Sequence, residues 1–195
     1  MTDEAFARAY HALTLLIAAN PQLMSFAGWP LARAQTLPQT SVPAVQFVRG
    51  WTEGNTATTA ELHEAVREIA DLADWRQTYS EDEVGADFLN RYGWFELVGP
   101  KGHFHSNEVR AYIAYWGENL YYPWHVHEAE ELYYIIAGQA LFEAEGMPPQ
   151  VLGPGDIRVH SSNQPHAMTT TDSPVLALAL WRGAGLAGVP RMGTA

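Results

Sequence analysis

The sequence predicts a mainly β fold, a jelly-roll barrel or sandwich preceded by a helical amino-terminal region, and three observations carry that expectation. Apolar residues recur at three- and four-residue spacing before residue 93 and at two-residue spacing after it. Glycine, proline, serine and asparagine separate the later apolar runs at short intervals, which leaves no room for crossover helices. Hydrophobic residues make up 47% of the 195 and aromatics 12%, enough for a substantial core in one domain with an appendage.

Phe6, Tyr10, Leu13 and Ile17 form the first helical stripe, which Asn20-Pro21 stops. Pro30, Pro38 and Pro43 mark residues 21–55 as a turn-rich connector. Thr58 and Glu61 have the spacing of a capping box, and Leu62, Val66, Ile69 and Leu72 follow as one apolar stripe. An amphipathic piece over residues 84–92 leads to Gly93. The expected division is a helical region over 1–92 packed on a barrel over 93–195.

In EVRAYIAYW, Val109, Ala111, Ile113 and Tyr115 share one strand face while Arg110, Tyr112, Ala114 and Trp116 share the other. Further strand-like runs follow at ELYYIIA, QALFEAE, GDIRVH and VLALALW.

Composition narrows the chemistry. The chain has no cysteine, so disulfides, thiolate nucleophiles and sulfur-ligated metals are excluded. A formal net charge of -11 disfavours phosphate backbones and anionic membranes, and a small cationic or zwitterionic partner suits it better. No apolar run approaches the roughly 20 residues of a membrane helix, and the acidic start is unlike a signal segment, so a cytoplasmic protein is expected. A homodimer is compatible with the sequence, which does not fix the oligomeric state.

One stretch, YYPWHVHEAEELYYIIAG, concentrates polar groups ahead of an apolar strand. On an extended strand His125 and His127 face the same way and can present two imidazoles to one point. Glu131 has the same parity, and His166 follows a proline-glycine turn and a strand further along. Three imidazoles and a carboxylate suit one divalent transition metal: zinc, iron, manganese, nickel or cobalt. His103 and His105 have the same spacing without a following carboxylate and read as an ordinary loop pair. Glu128 and Glu130 read as solvated charge, with Glu130 a reserve ligand if the strand is bulged, and His160 reads as a satisfied structural histidine.

Tyr133 lies two residues beyond Glu131 and shares its face, whereas Tyr134 points the other way. Tyr121, Tyr122, Trp124 and Trp181 are further aromatic candidates for the pocket, although core packing is the commoner use of any one strand aromatic.

Gly117, His125, His127, Glu131 and Gly138 resemble the first cupin motif, and Pro154-Gly155-Asp156 with Pro165-His166 resembles the second, without the usual asparagine after the histidine. The resemblance covers about residues 93–185 and implies a double-stranded β-helix with a metal bound by His125, His127, Glu131 and His166. With the VLALALW ending and the helical start, the chain is similar to the cupin-type dimethylsulfoniopropionate lyases of marine bacteria, most of all the Q type. That implies a carbon–sulfur lyase cleaving a small zwitterion by β-elimination to dimethyl sulfide and acrylate.

In that reading Tyr133 is the general base, Tyr122 or its rival Tyr121 holds the substrate, and Trp124 and Trp181 line the pocket. The competing readings are an iron-dependent cupin oxygenase at the same ligands and a non-enzymatic cupin that binds a small molecule.

Overall fold

The computed structural model describes residues 2–193. Its helices come first: α1 (Thr2–Ala19), α2 (Pro21–Ala27), α3 (Val45–Gly50), α4 (Ala60–Ile69), α5 (Glu81–Val84) and α6 (Ala86–Asn90), with the short strand β1 (Arg33–Ala34) among them. The stop at Asn20-Pro21 is also a start. The Asn20 side chain caps α2 by accepting hydrogen bonds from the backbone N–H groups of Gln22 and Leu23, and Pro21 occupies the first turn. The connector thus contains two helices, α2 and α3, that its prolines had hidden.

The capping box expected at Thr58 and Glu61 does not form. Helix α4 begins one residue later, with Thr59 at its cap and no side-chain hydrogen bond to the helix. A capping box does form at Ser80 and Glu83, ahead of α5, and Gly85 separates α5 from α6 where one continuous piece was expected.

The strands follow in close order: β2 (Tyr92–Gly99), β3 (Phe104–His105), β4 (Arg110–Trp116), β5 (Tyr121–Val126), β6 (Glu130–Gly138), β7 (Ala140–Ala144), β8 (Met147–Leu152), β9 (Ile157–His160), β10 (His166–Thr169), β11 (Val175–Arg182) and β12 (Arg191–Met192). They form two sheets, in the orders β1-β3-β2-β4-β11-β6-β9 and β12-β5-β10-β7-β8. Strands β4 to β11 divide between the sheets as β4-β11-β6-β9 and β5-β10-β7-β8, which is the double Greek key of a jelly roll, here a double-stranded β-helix.

The larger sheet buries both faces, which explains why β6 and β11 read as nearly unbroken apolar runs. Its outer face carries Val109, Ala111, Ile113, Tyr115, Leu132 and Tyr134 against Leu13, Ile17, Val66 and Ile69 of the helices. Its inner face carries Tyr112, Ala114, Trp116, Tyr133 and Trp181 into the barrel. Burying a leucine- or isoleucine-sized side chain stabilises by about 1.5–3 kcal/mol, so the helical layer and the sheet are held by one shared core. No helix among the described residues is long and apolar enough to cross a membrane.

A candidate metal centre inside the barrel

Strand pairing brings the polar groups together from both sheets. Glu131 on β6 lies opposite Trp181 on β11 and His160 on β9, while His125 on β5 lies opposite His166 on β10. All five side chains are buried. The register between β5 and β10 shifts between Tyr122 and His125, so these two residues, three apart, both turn inward. Their rings stack at 4.0 Å.

Each of three histidines has its tautomer set by the backbone. His125 Nδ1 lies 2.8 Å from the Pro123 carbonyl, His127 Nδ1 2.9 Å from that of Ala129, and His166 Nδ1 2.9 Å from that of Gln164. A carbonyl only accepts, so Nδ1–H donates and the neutral ring's Nε2 is left as a lone pair. His127 Nε2 is 3.2 Å and His166 Nε2 3.1 Å from the same Glu131 oxygen, Oε2. The His166 nitrogen makes no hydrogen bond of acceptable direction there and is otherwise buried without a partner.

With neutral rings, acceptors would face an acceptor, so the arrangement asks for positive charge, a proton on a ring or a cation. Burial pushes the Glu131 carboxyl up, but the His127 charge and hydrogen bond, with the nearby His166 ring, outweigh it and hold it well below the usual carboxylate range. His127 is likewise opposed by burial yet raised by Glu131. The ligand atoms of His127, Glu131 and His166 all fall within 4.8 Å of one another, a set compatible with a metal ion.

His125 is not in that mutual set. Its ring centroid is 4.0 Å from that of His166 and 6.3 Å from that of His127, and burial with the His166 charge lowers its pKa well below the usual imidazole value. His160 is not the satisfied histidine that its position suggests, because both ring nitrogens are buried without a partner while the ring stacks on His166 at 4.1 Å. Its neighbours come from other strands, and the local sequence cannot show that none supplies a donor or acceptor. Burial and the His166 charge hold its pKa down to about 3.

Around this cluster lies a cavity of ≈ 40 Å³ whose walls include Tyr92, Trp94, Tyr112, Trp116, Tyr122, Glu131, Tyr133 and Trp181. The Trp181 indole N–H donates to Glu131 Oε1 at 2.7 Å, and its ring stacks on His127 at 4.1 Å. The Tyr122 hydroxyl is 2.8 Å from that of Tyr79. Tyr133 is buried; burial, then the Glu131 charge, push its phenol well above the ordinary value.

Two aromatic candidates stand elsewhere. Tyr121 is 50% exposed and Trp124 half-buried, and neither lines the cavity, because the β5 bulge spends the inward positions on Tyr122 and His125. Glu128 is exposed, and Glu130 pairs with Arg182 at 2.7 Å, away from the cluster. His103 accepts a hydrogen bond from the Asp74 backbone and stacks on Phe6, outside the site. Sequence reasoning missed Tyr92, Trp94, Tyr112 and Trp116, although the alternation in EVRAYIAYW already placed Tyr112 and Trp116 on one face.

Comparisons with known proteins agree with one another. Residues 23–177 match the family described as dimethylsulfoniopropionate (DMSP) lyase. The chain is 39% identical over 183 residues to dimethylsulfoniopropionate lyase DddQ of Ruegeria pomeroyi, covering 93% of this chain and 91% of the relative. The crystal structure of DMSP lyase DddQ from Ruegeria pomeroyi superposes with a TM-score of 0.93 at 38% identity, over 97% of this chain and 96% of that one. A crystal structure described with the DMSP lyases RdDddP and RnDddQII gives 0.97 at 40% identity, over 100% of both chains.

Proposed function

The chain belongs to the dimethylsulfoniopropionate lyase family, and from that premise we propose that it cleaves this zwitterion by metal-assisted β-elimination to dimethyl sulfide and acrylate. The observation that carries the metal is the convergence of His127 Nε2, His166 Nε2 and Glu131 Oε2 inside the barrel. His127, Glu131 and His166 would hold the ion, with His125 next to them. When bound, a divalent cation would polarise the substrate carboxylate and offset the Glu131 charge that keeps the Tyr133 proton in place.

The remaining chemistry belongs to the chain. Tyr133 is the general base: with the cation in place its phenol would first release its own proton to solvent, and the phenolate oxygen then takes the proton from the carbon next to the carboxylate. The C–H electrons become the carbon–carbon double bond, the carbon–sulfur bond breaks, and the sulfide leaves neutral. The rings of Trp94, Tyr112, Trp116 and Trp181 present faces and edges to the sulfonium, at about 0.5–2 kcal/mol per well-placed face. Tyr122, fixed by Tyr79 and stacked on His125, orients the substrate.

The test is purified protein incubated with dimethylsulfoniopropionate, with and without a chelator, and headspace dimethyl sulfide as the readout. Release that the chelator abolishes and added metal restores is the expected result. No release above background with metal supplied would refute the lyase reading; release unaffected by complete metal removal would refute the metal.

A further inference from the structure

A second recess of ≈ 190 Å³ lies outside the barrel cavity and reaches His127 and Trp181 from the solvent side. Trp181 and Val189 line both the recess and the inner cavity, so they are the wall between them. Two opposite charges stand at the recess, Glu128 and Arg191. Both are exposed, and neither has a side-chain partner among the described residues. That distinguishes Arg191 from the arginines at 8, 49, 76, 91, 110 and 182, all of which are in ion pairs.

The segment that carries Val189 is rich in glycine. Residues 183–190 read GAGLAGVP, and Gly183 and Gly185 have φ of +82° and +71°, a backbone that side-chain-bearing residues rarely adopt. Arg110, whose Nε donates to Glu96 at 2.7 Å, donates through Nη1 to the carbonyls of Leu186 at 3.0 Å and Gly188 at 2.8 Å. Val189 belongs to the wall of the inner cavity as well as to the recess, so a shift of Val189 would join the two spaces.

We propose that the recess is the port of the lyase: a docking subsite where the cationic end of the zwitterion meets Glu128 and its carboxylate meets Arg191 before it passes Val189. The proposal rests on the lyase reading above. The chain's net charge of -11 attracts a sulfonium and repels a carboxylate, so it turns an approaching zwitterion sulfonium-first, and Arg191 supplies the cation that a carboxylate needs in an acidic surface.

Steady-state kinetics of Arg191→Gln and Glu128→Gln test it, with 3-(methylthio)propionate as an anionic competitor and trimethylsulfonium as a cationic one. Each variant should lower kcat/KM by about three- to fivefold, the scale of one exposed charge contact, with kcat nearly constant. Arg191→Gln should weaken inhibition by the anion only, and Glu128→Gln inhibition by the cation only. General damage to the fold would weaken both competitors together and would overturn the assignment, as would kcat/KM equal to wild type in both variants. If wild type has no turnover, the lyase reading falls, and the port is judged by ligand-observed NMR. Trimethylsulfonium binding that is lost in Glu128→Gln and kept in Arg191→Gln supports it, and equal binding to all three proteins sinks it.

Discussion

At the scale of single residues, the question is which tyrosine takes the proton. Tyr133 lies two residues from Glu131 on the inner strand face and feels the charge of that member of the metal set, whereas Tyr122 is bonded to another phenol and stacked on His125. Tyr133→Phe removes only an oxygen and should lower kcat by about 10²–10⁴-fold, the usual worth of a general base, with metal content and circular dichroism unchanged. Tyr122→Phe should cost about tenfold or less, as the loss of an orienting hydrogen bond. The reverse ranking in single-turnover experiments would move the base to Tyr122. Strand parity made this choice readable from sequence, since it put Tyr133 with Glu131 and Tyr134 with the helical layer. Parity with His125 would turn Tyr121 inward, but the β5 bulge adds a residue that no local pattern announces and turns Tyr122 inward instead. His160 failed for a different reason: hydrogen-bond satisfaction belongs to neighbours on other strands.

At the scale of elements, long apolar runs were legible and their ends less so. The inward and outward faces of β4 separate in the structure as the alternation had them, and α1 and α4 follow their stripes. Helices α2 and α3 were concealed by proline, and β8, MPPQVL, by two of them, although Pro at a sheet edge serves to deter pairing with other chains. The turn from β6 into β7 shows how strictly one position is set. Gly138 has φ +73°, and a Cβ there would stand 1.8 Å from the Pro174 carbonyl oxygen. Gly146, between β7 and β8, has a similar φ of +75° with nothing within 4 Å. Both Ala variants incur the backbone penalty of about 1–2 kcal/mol, but only Gly138→Ala must also shift Pro174. Urea denaturation should show Gly138→Ala destabilised by at least about 3 kcal/mol, or insoluble, and Gly146→Ala by no more than about 2. Equal losses would mean that the β6–β7 turn relaxes freely around the added methyl.

At the scale of the whole molecule, two buried histidines are required in their neutral forms, His63 within the helical layer and His103 between that layer and the barrel. His103 Nε2 accepts from the Asp74 N–H at 3.2 Å while its ring stacks on Phe6 of α1, and His63 Nδ1 on α4 receives the Asn55 amide at 2.8 Å. Protonating either acceptor nitrogen breaks its bond. Burial lowers both to about 4, assisted at His63 by the Arg67 charge; at His103 the Asp74 charge opposes the shift and the Arg76 charge assists it. The unfolded chain takes up protons at these rings from about pH 6.5 downward, whereas the folded chain does so only near pH 4. The unfolded state therefore binds more protons in this window, and stability falls as pH is lowered through it. His103→Gln keeps an acceptor for Asp74 and removes one titration, so the slope of unfolding free energy against pH between 5 and 6 should decrease by up to about 1.4 kcal/mol per pH unit. The comparison uses urea midpoints of wild type and variant at matched ionic strength, in a range where most carboxylates remain ionised. Parallel slopes would show that His103 is already protonated in the folded protein at pH 6, and that the interface between layer and barrel does not hold it neutral.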